Sequence, residues 1–197
     1  MIVSYRSGRT EDCPLIATLV NIASEGVIEF LFHGLIPEMT PVQMVAHNLR
    51  SDSSHYSYKN AIVAEYNNNP VGVSLSYPSH FHKITEEMRQ FLPEDRLEHF
   101  KLFYTSRVED SLFLNALCVE GEFRKKGIGA ELISLTKKKA KKSGFTALSL
   151  MVFADNKDAQ RLYRRCGFEV EKNVDLKTHE LIPHEGGCLL MKCKIET

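Results

Sequence analysis

The sequence predicts an α/β fold built on a mixed, largely antiparallel sheet of about six to seven strands. Residues 61–77 are typical of a β-hairpin, because two apolar runs flank the turn-forming residues 67–70. A buried strand, a tight turn, a helix and a second strand then follow one another over 112–152. Two further strand patterns follow, over 169–174 and 187–195. This order of strands favours a mixed sheet.

Length and composition indicate a single domain over 1–197. A chain of 197 residues can bury a core that needs neither disulfides nor a structural metal. Its hydrophobic content is 43%, its charged content is 25% and its net charge is zero. This balance provides no overall field that would favour nucleic acid or a membrane surface as a partner.

The cysteines and the N-terminal sequence favour a cytoplasmic protein. The N-terminus lacks the apolar core of a signal peptide, and no apolar run reaches the length that spans a membrane. Five cysteines are an odd number, and their spacing suggests reduced core thiols and not paired disulfides. The sequence leaves open whether the chain forms a homodimer. The cysteines are Cys13, Cys118, Cys166, Cys188 and Cys193.

The first sixty residues predict one strand and three helices. Residues 2–6 alternate as in a strand, and 15–23 show the apolar spacing of a helix. Either Thr10 or Asp12 could cap that helix at its N-terminus. The remaining elements before the hairpin are a helix over 27–32, a helix over 42–49 with Pro41 in its first turn, and a loop over 50–60.

The turn that follows the apolar run 112–119 suits a pyrophosphate. Ile128, Leu132 and Leu135 have helical spacing, so a helix is expected to begin near Gly127. Glycine at this corner lets the backbone approach a ligand, and the first amides of a helix have no internal partner. Those amides can bind an anion with the help of the helix dipole.

Two common nucleotide-binding motifs do not match this turn. The dinucleotide fingerprint needs a third glycine at the position of Leu132, and the Walker loop needs a Gly-Lys-Ser/Thr sequence that is absent here. Residues 124–130 instead read Arg-x-x-Gly-x-Gly-Ala, and they follow a strand that ends in Leu-Cys-Val.

This pattern resembles the first signature of the GNAT superfamily of acetyl-CoA-dependent N-acyltransferases. Arg124, Gly127 and Gly129 match its Gln/Arg-x-x-Gly-x-Gly/Ala sequence. Residues 156–168 are similar to the second signature, Asn-x-x-Ala-x-x-Leu-Tyr-x-x-x-Gly-Phe. The two signatures lie in the expected order, and the resemblance covers 112–194 but is thin before that range.

The resemblance implies a single-domain GNAT fold, with helices on a central sheet and a helical insertion at 78–111 between strands 3 and 4. It also implies direct transfer of an acetyl group from acetyl-CoA to a primary amine of a small molecule, or to a protein amino group. Within the insertion, 84–92 and 94–104 are expected to be helices separated by Pro93.

The same resemblance assigns the cofactor site. The pantetheine arm would lie along a strand that splays from its neighbour at a bulge, here at Leu117, Cys118 and Val119. A backbone N–H of that strand could also hold the thioester carbonyl as negative charge develops on it. The pyrophosphate would be held at Arg124, Lys125, Lys126, Gly127, Ile128, Gly129 and Ala130.

Tyr163 and Asn156 match residues with assigned roles in the family. Tyr163 corresponds to a tyrosine that protonates the leaving thiolate, and a phenol with an ordinary pKa of about 10 can share a proton with a thiol. The alternative is that Tyr163 packs under the cofactor. Asn156 corresponds to a cofactor-binding asparagine, and it could also cap the helix that follows it.

The general base is not identified by the motifs. Histone-modifying relatives use a glutamate on strand 4, but that position here is Phe113. Asn115 is a polar residue of this strand that could line the site. Glu25 and Glu29 are the best remaining carboxylates, with an exposed helix face as their alternative role. A base that acts through ordered water is equally compatible with the sequence.

The charge pattern suggests that an acidic acceptor side faces a basic cofactor side. Residues 81–122 carry nine acidic and five basic side chains, whereas 123–145 carry eight basic and one acidic. The alternative is that both stretches are solvated helix faces. The lysines at 137–142 are expected to be solvated, because a nucleic-acid site would contain interleaved aromatic residues.

Other functions are less well supported by the residues. His80 and His82 have strand spacing but lack a third ligand at a suitable distance, so we expect no metal. A non-catalytic acyl-CoA-binding or sensor module is the main alternative to an acyltransferase, and the presence of Tyr163 argues against it. A nucleotide-binding protein is a weaker alternative, because neither phosphate-binding motif is complete.

Overall fold

The computed structural model describes residues 1–196, which form a seven-stranded sheet with helices on both faces. The strand order is β1-β2-β3-β4-β5-β7-β6, and every neighbouring pair is antiparallel except β4 and β5, which are parallel. The predicted mixed, largely antiparallel sheet is confirmed. The strands are β1 (Ser4–Ser7), β2 (Ala61–Tyr66), β3 (Asn69–Pro78), β4 (Ser111–Val119), β5 (Ala147–Phe153), β6 (Glu169–Val174) and β7 (Cys188–Lys194).

The helices lie close to their predicted positions. No helix of the described chain has both the length and the apolar character needed to cross a membrane. The helices are α1 (Cys13–Ser24), α2 (Val27–Phe32), α3 (Pro41–Leu49), α4 (Glu86–Phe91), α5 (Glu94–His99), α6 (Lys101–Thr105), α7 (Ile128–Lys142) and α8 (Lys157–Arg165).

Helix α3 begins where the sequence predicts because its N-terminus is fully capped. The Thr40 hydroxyl accepts the N–H of Gln43 at 3.2 Å, and the Gln43 side chain accepts the N–H of Thr40 at 2.8 Å. Pro41 occupies the first turn, where its missing N–H leaves no acceptor unsatisfied.

The predicted cap of α1 by Thr10 or Asp12 is wrong. Residues Thr10–Asp12 form a short 3-10 turn, and no side chain caps the helix. The Asp12 carboxylate is already occupied, because it accepts two hydrogen bonds from the Arg6 guanidinium at 2.6 and 3.0 Å. It also accepts the N–H of Arg9 at 2.8 Å. The ion pair with β1 therefore replaces the helix cap.

The hairpin of β2 and β3 is confirmed, with Asn67 and Asn68 in its turn. Their φ angles of 49° and 62° place both residues in the left-handed region, which asparagine tolerates better than most residues. This geometry matches the twist of the two strands and permits a two-residue connection between them.

The insertion between β3 and β4 contains three short helices instead of the two predicted. The pattern over 94–104 is interrupted at Phe100, which joins α5 to α6 with φ −97° and ψ 8°. Phe100 is fully buried between Phe30 and Phe103, with ring centroids 5.5 Å from each. Packing of this ring thus outweighs the continuous helical pattern.

The two faces of the sheet carry different helices. Alternate residues of β2, β3 and β4, including Val63, Val73 and Cys118, pack against α1 and α3. The opposite face packs against α7 and α8, where Leu132, Ile133 and Tyr163 are buried. This alternation follows from the two-residue period of a strand.

Two lysines of α7 depart from the expected solvated face. The Lys137 ammonium donates to the Cys166 carbonyl and lies 5.8 Å from the ring centroid of Phe168. The Lys139 ammonium donates to the carbonyls of Asn60 at 3.0 Å and Ser76 at 3.1 Å, and to the Ser76 hydroxyl at 3.1 Å. Burial lowers the pKa of Lys139 to about 8. The prediction of a solvated side chain is therefore wrong here, because the helix faces the ends of β2 and β3 at this residue.

Strands β4 and β5 pair only at their first residues and then separate. The parallel register joins 111–113 to 147–149, and it stops there. Between β3 and β4 the register shifts around Asn115, which is the extra residue of a β-bulge. The predicted splay is confirmed, but the bulge lies before Leu117 and not over 117–119. The separation leaves one edge of β4 free to face a cavity.

Candidate active site

The turn from β4 to α7 presents a group of free amides. The Arg124 N–H donates to Gly121 at 3.2 Å, and the Glu131 N–H donates to Gly127 at 3.0 Å. Between these two bonds, the amides of 125–130 have no hydrogen-bond acceptor within residues 1–196. Lys125 and Gly127 have φ angles of 60° and 84°, so left-handed residues bend the chain around these amides. Such an arrangement forms a concave site for an anion.

Glycine at 127 is favoured by its backbone conformation, and its Cα faces open space. Its left-handed φ angle disfavours any residue with a side chain, and a Cβ built there would meet nothing within 4 Å. That side chain would therefore extend into the open space of the turn. At Gly129, a Cβ would lie 3.4 Å from Cδ2 of Leu162, so this glycine allows close packing against α8.

The basic side chains of the turn have different surroundings. Nε of Arg124 donates to the Val119 carbonyl at 2.9 Å, which holds its guanidinium beside the end of β4. The Lys126 ammonium lies 5.3 Å from the ring centroid of Phe123, and Lys125 is exposed. Ile128 is buried, so only its backbone amide is available to a ligand. The residues of the turn therefore fit a diphosphate group through amides and positive charge.

A single cavity of about 1910 Å³ connects this turn to the helical insertion. It lies along the free edge of β4 and includes Leu117, Cys118 and Val119 in its wall. Because these residues pair only with β3, their outward-facing backbone groups are available to an extended ligand, apart from the Val119 carbonyl, which accepts from Nε of Arg124. Burial raises the pKa of the Cys118 thiol, so this cysteine is a protonated wall residue and not a nucleophile.

Tyr163 reaches the same cavity from α8. Its side chain is only 9% exposed, and its ring contacts Phe168 edge to face with centroids 5.8 Å apart. Burial, followed by the nearby Glu25, raises the pKa of Tyr163 well above its usual value. The hydroxyl therefore keeps its proton at neutral pH, as a proton donor must.

Asn156 is held at both ends of its amide group. Its Oδ1 accepts the N–H of Ala159 at 3.0 Å, which confirms the predicted cap of α8. Its Nδ2 donates to Glu25 at 2.6 Å. The second proton of Nδ2 has no acceptor within the described chain, so one polar contact of Asn156 is still available for a ligand.

Glu25 is brought into the cavity by the sharp end of α1. It has a φ angle of 48°, and Gly26 follows with φ 102°. A Cβ at Gly26 would lie 1.8 Å from the Leu181 carbonyl, so only glycine allows this close approach to the loop before β7. The turn directs Glu25 towards Asn156 and the cavity.

Two residues that sequence reasoning missed extend this polar group. Nε2 of His184 lies 3.8 Å from Oε2 of Glu25, and its Nδ1 lies 2.8 Å from Oδ1 of Asp155. The His184 ring stacks on Phe153 with centroids 3.9 Å apart, which holds its orientation. Only the adjacency of Asp155 to the Asn156 motif pointed to this group, since His184 is far away in the chain.

Of the two other candidate acceptor residues, one lines the cavity and the other does not. Asn115 lines the cavity, and its Nδ2 donates to the Tyr77 hydroxyl at 3.0 Å. Glu29 does not line the cavity, because its carboxylate faces outward and lies 2.7 Å from Nδ1 of His33. We therefore retain Glu25 and Asn115 as site residues and set Glu29 aside.

For α4 the structure favours the alternative to an acidic acceptor side, namely a solvated helix face. The carboxylates of α4, Glu86 and Glu87, are exposed at the edge of the cavity. The insertion instead contributes apolar and aromatic side chains to the wall, among them Met88 and Phe103. Helical periodicity places charge and apolar surface on opposite faces, so net charge did not predict which face turns inward.

His80 and His82 do not act together. His82 is buried, stacks on Phe113 with centroids 4.1 Å apart, and contacts the Phe103 carbonyl through Nε2 at 3.1 Å. His80 is exposed and packs against Phe81. Among residues 1–196, no three His, Cys, Asp or Glu side chains form a group suited to a metal ion.

Comparison with known proteins identifies a family pattern over most of the chain. The model of the acetyltransferase (GNAT) family matches residues 31–168. A curated relative, GCN5-related N-acetyltransferase 7, chloroplastic, from Arabidopsis thaliana, is 37% identical over 59 residues. That alignment covers 30% of this chain and 22% of the relative, so the chain matches about a fifth of the relative's length.

Solved structures support the same architecture over nearly the whole chain. One described as the crystal structure of acetyltransferase has a TM-score of 0.67 and 25% identity, and covers 98% of this chain and 100% of its own. An N-acetyltransferase from Staphylococcus aureus Mu50 has a TM-score of 0.67 and 19% identity, with coverage of 98% and 100%. The second likeness supports the fold alone.

Proposed function

This chain belongs to the acetyltransferase (GNAT) family, and we propose that it transfers an acetyl group from acetyl-CoA to the primary amine of a small molecule. One observation carries this proposal. A single cavity joins the free amides of 125–130 to Tyr163, Glu25 and an apolar region bounded by the insertion. Both reactants can therefore meet at the separation of β4 and β5.

The cofactor site is formed mainly by backbone. The amides of 125–130 would bind the diphosphate, with Arg124 and Lys125 contributing positive charge. The free edge of Leu117, Cys118 and Val119 would bind the pantetheine arm through its backbone N–H and C=O groups. Acetyl-CoA, when bound, supplies an acetyl group that is activated as a thioester.

Tyr163 is the proposed proton donor. Its hydroxyl lies in the cavity, and its raised pKa keeps the proton on the oxygen until negative charge develops nearby. The buried ring holds the hydroxyl in place, since it packs on Phe168 and within the core beneath α8. Tyr163 is therefore oriented before any ligand binds.

Glu25 is the proposed proton acceptor for the amine. An amine must lose a proton before it attacks, because most amines are ammonium ions at neutral pH. Among the half-buried side chains of the described cavity wall, Glu25 is the carboxylate placed beside both Asn156 and Tyr163. On its other side lies His184, at 3.8 Å from Oε2 of Glu25, and Asp155 in turn holds His184.

The test is release of free thiol from acetyl-CoA with a panel of small primary amines. We expect thiol release that depends on the added amine. A variant that cannot bind the cofactor should show no such release. Tight CoA binding by calorimetry without release for any amine would favour a non-catalytic acyl-CoA sensor. Absence of both binding and release would remove the proposed function entirely.

A further inference from the structure

We propose that the acceptor is a monoamine that bears an aromatic ring, and that the ring binds in an aromatic chamber at the insertion end of the cavity. The inference rests on the proposed acetyl transfer and names the class of amine. We define the aromatic chamber by the wall residues His55, Tyr77, Phe81 and Phe113, whose rings contact one another, and Ile36 and Met39 line the same cavity.

Several apolar side chains of the cavity wall do not belong to the hydrophobic core clusters. The hydrophobic clusters of the described chain do not include Ile36, Met39 or Phe81, although all three line the cavity. Each of the three is only partly exposed, so the protein encloses an apolar surface that it does not fill itself. Covering such a surface with an apolar ligand removes it from water, which is favourable.

The rings of the chamber form a continuous series of contacts. His55 stacks on Phe81 with centroids 4.5 Å apart and an angle of 4°, and it meets Tyr77 edge to face at 5.0 Å. Tyr77 in turn lies 5.7 Å from Phe113. Aromatic rings attract one another in stacked and edge-to-face geometries at these distances. An aromatic ligand would add another ring to this series of contacts. A flexible aliphatic chain has no ring and makes weaker contacts of this kind.

The charges of the wall limit the ligand to one ammonium group. Four carboxylates line the whole cavity in the described chain, and three of these are exposed: Glu86, Glu87 and Asp158. Asp158 also pairs with Arg161 on α8. Glu25 is the remaining one and can serve a single amine. Glu87 interacts with His55 of the chamber, but from an exposed position where an ion pair is weak. A second cation of a polyamine deeper in the chamber would lie against aromatic side chains, where an unpaired charge is costly.

Neutral hydroxyl groups complete the chamber. Tyr56 and Tyr104 line the cavity near Tyr77, and within residues 1–196 neither hydroxyl makes a hydrogen bond to another residue. Burial raises the pKa of Tyr104 to about 12, so its hydroxyl remains uncharged. These hydroxyls can bind a neutral polar substituent on the ring, but they cannot balance a second positive charge.

The experiment compares four amines at a fixed acetyl-CoA concentration: 2-phenylethylamine, hexylamine, putrescine and spermidine. We expect kcat/KM for 2-phenylethylamine to exceed that for either polyamine by at least about tenfold, with hexylamine between them. Equal or faster turnover of hexylamine, putrescine or spermidine would overturn the aromatic class but leave acetyl transfer intact. Absence of thiol release with every amine would overturn both.

The second experiment adds a negative charge to the cavity wall. Ile36→Glu should lower kcat/KM for 2-phenylethylamine by about tenfold or more, and raise it for putrescine, because it supplies a second carboxylate. Val170→Glu is the matched control, since Val170 is an exposed apolar residue of β6 outside this cavity. An unchanged amine preference in Ile36→Glu, with CoA affinity and circular dichroism like those of the control, would also overturn the inference.

Discussion

The side-chain amide of Asn156 donates to the carboxylate of Glu25 over 2.6 Å, and this bond joins two residues that are 131 positions apart. It connects the first turn of α8 to the end of α1, and it lies in the wall of the cavity beside Tyr163. The proposed proton acceptor is thus anchored to the helix that carries the proposed proton donor. Both groups keep their relative position through one hydrogen bond and the cap of α8.

Replacement of Glu25 tests its role as base. Glu25→Gln retains the side-chain shape and can still accept from Asn156, but it can no longer accept a proton from the amine. We expect kcat to fall by about a hundredfold, in the range typical of a general base. Glu29→Gln is the control, because Glu29 lies outside the cavity. Activity of Glu25→Gln within twofold of that control would assign the base elsewhere.

Tyr163→Phe removes the proposed donor hydroxyl but keeps the buried ring. We expect turnover to fall roughly tenfold or more, with CoA affinity near that of the wild type. The check is kcat by thiol release together with the Kd for CoA by calorimetry. An unchanged kcat would leave Tyr163 with a packing role only.

The alkaline side of the pH profile gives an independent test of Tyr163. A proton donor loses activity as pH rises through its pKa, and burial moves the pKa of Tyr163 above its usual value. Activity should therefore show no decline from this group between about pH 7 and 9. Loss of activity over that interval in the wild type, but not in Tyr163→Phe, would contradict the raised pKa.

Gly127→Val tests the amide cradle. The substitution forces a β-branched side chain into a left-handed conformation and directs it into the open space of the turn. We expect acetyl-CoA binding to be lost in calorimetry. Gly144→Val is a close control, since Gly144 has φ +80° and open space at the other end of α7. Both variants carry similar strain, so wild-type affinity in Gly127→Val would rule out the cradle.

Lys139 predicts a specific dependence of stability on pH. Its pKa is lowered from 10.5 to about 8 by burial, so the unfolded chain binds the proton more tightly than the folded protein. The unfavourable contribution of this lowered pKa is complete below about pH 8 and is relieved as pH rises towards 10.5. The free energy of unfolding of the wild type, relative to Lys139→Met, should therefore increase over that range.

The same variant measures the hydrogen bonds of Lys139. At pH 7 the Lys139→Met variant loses the contacts with the Asn60 and Ser76 carbonyls, which leaves buried acceptors unpaired, but it also removes the unfavourable buried charge. The difference in stability should therefore be small at pH 7 and should shift in favour of the wild type as pH rises towards 10.5. Urea denaturation gives both values, and Lys138→Met on the exposed side of α7 is the control. A pH-independent difference between wild type and Lys139→Met would show that the ammonium is not perturbed by burial.

Local patterns in the sequence determined most of the elements of this fold. The cap of α3, the hairpin turn at Asn67 and Asn68, and the start of α7 after Gly127 depend on residues within a few positions of one another. Hydrogen bonds and backbone sterics act over such distances, so the sequence suffices to predict them. The cradle and Tyr163 could be named for the same reason, because their residues form short, ordered motifs.

The tertiary structure alone decided which distant side chains meet. It placed Glu25 beside Asn156 and His184 and turned Lys139 inward. It also brought apolar side chains of the insertion into the cavity wall and left the carboxylates of α4 at its exposed edge. These contacts join segments separated by many tens of residues. Their formation depends on how whole elements pack, since packing selects which face of a helix is buried and which charge finds a partner.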